Sequence, residues 1–95
     1  MTIDINTTAT NGHLLVYVLN SNGGQMLTIR DSGSGSCMLV PGKKYRFEWH
    51  TWSATPAEYA IDASVNPSSP GFPPLHFDVR YATADEDFGT FEFTA

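Results

Sequence analysis

The chain has 95 residues, room for one domain with a single core and none for a second lobe that could close over a substrate. It carries 5 Lys and Arg against 10 Asp and Glu, a formal charge of −5, which excludes the basic face that nucleic acid and anionic membrane demand. Hydrophobic residues make up 41%, enough for a globule, yet the longest purely apolar run, Leu14 to Leu19, falls far short of a membrane span.

Nowhere do apolar residues keep helical spacing for three turns, whereas period-two alternation recurs between turn signals supplied by 8 Gly and 6 Pro. The alternation predicts strands over 2–8, 13–19, 25–30, 37–40, 44–52, 57–65, 75–82 and 88–94. The expected fold is all-β: a single antiparallel β-sandwich, immunoglobulin-like or jelly-roll-like, of about eight short strands.

Strand 13–19 is apolar on both faces, because Leu14, Val16 and Val18 alternate with Leu15, Tyr17 and Leu19. Its outer face therefore needs a cover or a partner chain. The stretch Ser32-Gly33-Ser34-Gly35-Ser36 reads as a flexible connector, since it lacks the Lys and following helix of a phosphate loop and the spacing of a nucleophile elbow. Cys37, the lone cysteine, has no basic neighbour in sequence and reads as a buried, inert thiol.

The next strands have one wet face each. Tyr45, Phe47 and Trp49 point inward in strand 44–52, Tyr59, Ile61, Ala63 and Val65 in strand 57–65, and Leu75, Phe77, Val79 and Tyr81 in strand 75–82. If these three strands pair in succession, charge matching favours a row Arg46–Asp62–Arg80 on the outer face, each pair worth roughly 0.2–1 kcal/mol. The connection Asn66 to Pro74 holds four prolines, which stiffen it as a recognition loop presenting Phe72 or as a strap over the open end of the core.

The run Leu39-Val40-Pro41-Gly42-Lys43-Lys44-Tyr45-Arg46-Phe47 resembles the corner between two late strands of fibronectin type III and related immunoglobulin-like sandwiches. The resemblance covers these nine residues and implies that the Tyr45 hydroxyl bonds back to the backbone and pins the corner.

Strict antiparallel succession gathers the connections 9–12, 31–36, 53–56 and 83–87 at one end of the sandwich. That end brings Asp31, Asp85, Glu86 and Asp87 towards His50 and Trp52, and these six are the predicted ligand-binding residues. An aromatic face beside carboxylates is the chemistry of sugar recognition, and calcium would seek the same oxygens. The competing reading is a Trp packed under a loop beside a solvated acidic turn. His50, His76 and Asp78 could share an outer face as a metal set, a weaker expectation because His50 then stands two strands from His76. The chain is accordingly expected to be a non-enzymatic binding module with no catalytic residues and no resident cofactor or metal. Its expected partner is a small carbohydrate or a protein, with neither nucleic acid nor membrane. The alternatives are self-association through strand 13–19 as a homo-oligomer and, last, a small metal-dependent enzyme. A single Cys and an N-terminus without a basic, apolar leader point to the cytoplasm.

Overall fold

The computed structural model describes residues 1–81 and 85–95, with side chains for all of these except 77–81 and 85. Eight strands follow in order: β1 (Thr2–Thr10), β2 (His13–Asn20), β3 (Gln25–Arg30), β4 (Gly33–Met38), β5 (Lys44–Ser53), β6 (Ala57–Asn66), β7 (Leu75–Tyr81) and β8 (Asp85–Thr94). They form two antiparallel four-stranded sheets, β4-β1-β6-β7 and β3-β2-β5-β8, packed face to face as a β-sandwich. Only β2–β3 and β6–β7 are hairpins within one sheet; every other connection carries the chain across to the opposite sheet.

The inward sets meet between the sheets. Ile3, Ile5, Ile61 and Tyr59 come from the first sheet and Leu14, Val16, Val18 and Phe47 from the second, all at most 2% exposed. At one end this core is closed by the proline-rich connection. Phe72 turns in at 2% exposure and packs 4.7 Å from Phe93, 5.8 Å from Phe91 and 5.9 Å from Phe47, measured between ring centroids. The connection is a strap.

Three expectations are overturned. The hairpin of β5 with β6 does not form, for β5 lies between β2 and β8 and β6 between β1 and β7. Strands with one apolar face gain more by covering each other across the core than by lying side by side in one uncovered sheet. The charge row dissolves with it. Asp62 stands opposite His76 and Asn6, and Arg80 opposite Glu58, while Arg46 reaches Glu92 at 3.1 Å and Glu48 at 3.7 Å on the other sheet.

The Gly-Ser stretch is no flexible connector. It is β4, paired with β1 along its whole length from Gly33 opposite Thr7 to Met38 opposite Thr2. Its glycines lie beneath β3, where a Cβ at Gly35 would stand only 3.1 Å from Leu27 Cδ1. Side-chain-free positions let the edge strand tuck under the facing sheet. The strand expected over 37–40 accordingly starts earlier and stops at Met38. The third correction is β8, which begins at Asp85 and not at Phe88, so the acidic triplet belongs to a strand.

The β4–β5 corner behaves as the resemblance implies. The Val40 N–H donates to Tyr45 Oη at 2.8 Å, fixing the point where the chain passes between sheets. Cys37 is half-buried, and that burial pushes its thiol pKa above the ordinary value, so little thiolate forms at neutral pH.

Candidate functional site

The connections expected at one end do meet there. Thr55 Oγ1 donates to the Asn11 carbonyl at 3.1 Å, joining the β5–β6 and β1–β2 connections. Ser32 Oγ accepts from the Ala9 N–H at 2.9 Å, which brings in the β3–β4 connection. Ser53 pairs with Asp85 and Ala57 with Tyr81, so the last residue of β7 and the first of β8 lie at this end; residues 82–84 between them lie outside the described residues.

Trp52 occupies the outward register of β5 directly opposite His13 of β2, and it is half-exposed. The His13 ring stacks on it at 5.2 Å and 25°, and His50 leans against it at 5.0 Å and 38°. Each imidazole meets a carboxylate: His13 Nδ1 lies 3.4 Å from Asp31 Oδ1, and His50 Nε2 lies 3.0 Å from Glu86 Oε1. Phe88, 57% exposed, stands edge-on to His50 at 6.5 Å. From inside, Tyr59 donates its hydroxyl to the Trp52 carbonyl at 3.1 Å, and a Cβ on Gly12 would sit 2.1 Å from that same hydroxyl. Only glycine lets the β1–β2 turn settle on Tyr59, so one buried phenol positions both walls of the site.

Between those walls lies an open hollow of 620 Å³, within the roughly 300–1,000 Å³ of ligand clefts, lined by Asn11, Gly12, His13, Trp52, Ser53, Ala54 and Thr55. Its border offers an amide, an imidazole, a hydroxyl and loop backbone beside one aromatic ring.

Of the five predicted residues whose side chains are described, Trp52 lines this hollow and the other four do not. Trp52 and His50 adjoin each other on one face, and Glu86 joins them through His50. Asp31 does structural work. Held at φ 55°, it accepts the Leu14 N–H on Oδ1 at 3.1 Å, while its carbonyl accepts the Thr7 hydroxyl at 2.6 Å. Asp87 falls on the opposite register from Glu86 and accepts the Phe88 N–H at 2.8 Å. The Asp85 side chain lies outside the described residues.

Asp31 and Glu86 do not converge on one place as a calcium site would need. Asp31 follows β3 and Glu86 lies on β8, three strand spacings apart in the sheet order, roughly 14 Å at about 4.8 Å per spacing. The histidine set fails likewise, because His50 is on the second sheet and His76 on the first, where His76 Nδ1 meets Asp62 Oδ1. The Asp78 side chain lies outside the described residues. Among the described residues, no three His, Cys, Asp or Glu converge to hold a metal ion.

No protein-family model matches the chain, and no curated protein or solved structure does so either.

His13, Asn11 and Thr55 carry no local signal of a site in the sequence. The Asn11-Gly12 turn is visible as a dipeptide, and Asn11 adopts φ 62° as such a turn permits. That it faces Trp52 depends on the pairing of β2 with β5, strands 24 residues or more apart in sequence, for which no local signal exists.

Proposed function

We propose that the chain is a non-enzymatic binding module that takes a small neutral carbohydrate in the hollow beside Trp52. The observation that supports this is the half-exposed indole at the edge of a 620 Å³ hollow bordered by Asn11, His13 and Thr55. A pyranose presents apolar C–H groups to an aromatic surface and hydroxyls to its rim, and this border can both accept and donate. The two imidazoles restrain the ring, so little side-chain freedom is lost when a ligand arrives.

In a Trp49→Phe variant only Trp52 fluoresces, and titration with mono- and disaccharides should give a saturable change in its emission. At a hundred times the Kd, the ligand should stabilise the fold by about 2.7 kcal/mol, a rise of several degrees in Tm. Trp52→Ala in the otherwise unmodified chain should abolish the sugar-dependent rise in Tm. Absence of any sugar-dependent shift in the unmodified chain overturns the reading.

A second reading has its own observation. Leu15, Tyr17 and Leu19 stay half-exposed on the outer face of β2, flanked by Arg30 and Thr28 on one side and by His50, Glu48 and Arg46 on the other. An apolar strip with a mixed-charge rim is the pattern of an interface, and a second copy offers the same strip about a two-fold axis. Sedimentation equilibrium should then report a dimer that Tyr17→Lys converts to monomer; a monomer throughout discards this alternative.

A further inference from the structure

The opposite end of the same sheet carries a second hollow, of 450 Å³, where the β2–β3 turn overhangs the outer face of β5 and β8. We infer that it binds the oxyanion of a small organic molecule through Lys44 and Arg46. Three features lead there, and none depends on the sugar reading of the Trp52 hollow.

The first is charge. The whole chain has only 5 Lys and Arg, and two of them, Lys44 and Arg46, line this hollow against one carboxylate, Glu92. Arg46 also stands 3.7 Å from Glu48, so Lys44 is the cation with no carboxylate against it among the described residues. Both cations stand on the outward register of β5, two residues apart and on one face.

The second is unused hydrogen-bonding capacity. Arg46 gives one nitrogen to Glu92 Oε1 at 3.1 Å, whereas its Nη1 stands 3.7 Å from Glu48, too far for a hydrogen bond. A guanidinium has five N–H donors, so several remain for a bidentate oxyanion. Lys44 is exposed and makes no ion pair among the described residues. Its three ammonium donors are open to a ligand.

The third is a preformed wall. Asn20 Oδ1 accepts the N–H groups of Asn22 at 3.0 Å and Gly24 at 2.9 Å, and the Gly23 N–H donates to the Asn20 carbonyl at 3.0 Å. With Gly23 at φ 82°, the turn is locked in its overhanging shape and needs no ordering on binding. Leu19 supplies an apolar patch and Ser21 lies at the border. The 450 Å³ exceeds what a bare phosphate or sulfate fills and lies in the range of organic ligand sites. The ligand is thus a carboxylate or phosphate monoester with a short carbon skeleton resting on Leu19.

The test is an amide-resolved NMR titration at low ionic strength with glucuronate and glycerol phosphate as organic carriers, and inorganic phosphate and sulfate as bare ions. Shifts from at least one organic carrier should saturate and centre on 19–23, 44–46 and 92. The double variant Lys44→Gln, Arg46→Gln should weaken that binding about tenfold or more, since it removes both charge-assisted hydrogen-bond donors. Arg46→Lys should retain part of it, and Trp52→Ala should leave it unchanged. No saturable shift from either carrier, or equal binding by the double variant, overturns the inference. Inorganic phosphate binding as tightly as both carriers overturns the assignment of an organic ligand.

Discussion

Phe72→Ala is expected to cost about 3–5 kcal/mol, a range typical of large aromatic truncation in a core. Phe72 is one of the largest fully enclosed side chains, and its ring fills the space among Phe47, Phe91 and Phe93. Four prolines reduce what the connection loses in entropy when it closes over the core, yet the ring is the group that holds it down. In a domain of this size each kcal/mol moves Tm by about 4–8 °C, so the variant should melt at least about 12 °C lower. Total stability of small domains is about 5–15 kcal/mol, and failure to fold at all also fits the strap. Phe88→Ala is the control. Phe88 is 57% exposed on the outer face, and its removal should change stability by less than about 0.5 kcal/mol. A Phe72→Ala protein that melts within about 2 °C of the parent would mean the connection is a presented loop with no closing role.

The second large effect belongs to Gly89, and here two contributions oppose each other. Glycine within a strand is entropically unfavourable, so Gly89→Ala should gain up to about 1 kcal/mol on propensity alone. Gly89 pairs directly with Trp49, whose indole lies on it so closely that a Cβ would fall 1.9 Å from Cζ2. The contact is with the body of a partly buried ring packed against the core. It cannot swing aside without opening the end of the sandwich, and overpacking of this kind typically costs about 1–3 kcal/mol. The clash should win, giving a net destabilisation of about 1–2 kcal/mol read from chemical denaturation. In a Trp49→Phe background the shorter ring yields, and the Gly89→Ala penalty should shrink or change sign, the non-additivity expected of touching residues. Additive losses in the two backgrounds would place the effect in the β8 backbone and not in the ring contact.

The aromatic cluster at the Phe72 end and the polar hollow at the Trp52 end give the sandwich two unlike extremities. On the inward register near Trp52, Thr51 and Ser53 replace the aromatic residues found lower on β5, and their buried hydroxyls have no hydrogen-bond partner among the described residues.

Alternation decided much of this molecule before any tertiary contact. The inward sets Tyr45-Phe47-Trp49 and Tyr59-Ile61-Ala63-Val65 lie on the core side because a strand has a period of two, and one apolar face must be covered. The number of strands and the two-layer architecture followed from that alternation and its turn signals, whereas the Tyr45 corner was implied by the resemblance of residues 39–47 to fibronectin type III corners. Which strands became neighbours did not follow. The pairing of β5 with β2 and β8, and of β6 with β1 and β7, was set by how two sheets cover each other, and a local charge match such as Arg46 with Asp62 is too weak to override it. The same contacts turned Gly33 to Ser36 into an edge strand, because small residues fit beneath Leu27 and Ile29, and carried Asp85 to Asp87 into β8. The site shares this history. Trp52 was conspicuous in the sequence as an aromatic residue on an outward register, but its neighbours His13, Asn11 and Thr55 reached it only through cross-strand and loop contacts between segments distant along the chain. Periodicity is local and survives in a single strand; adjacency is a property of the whole packed molecule.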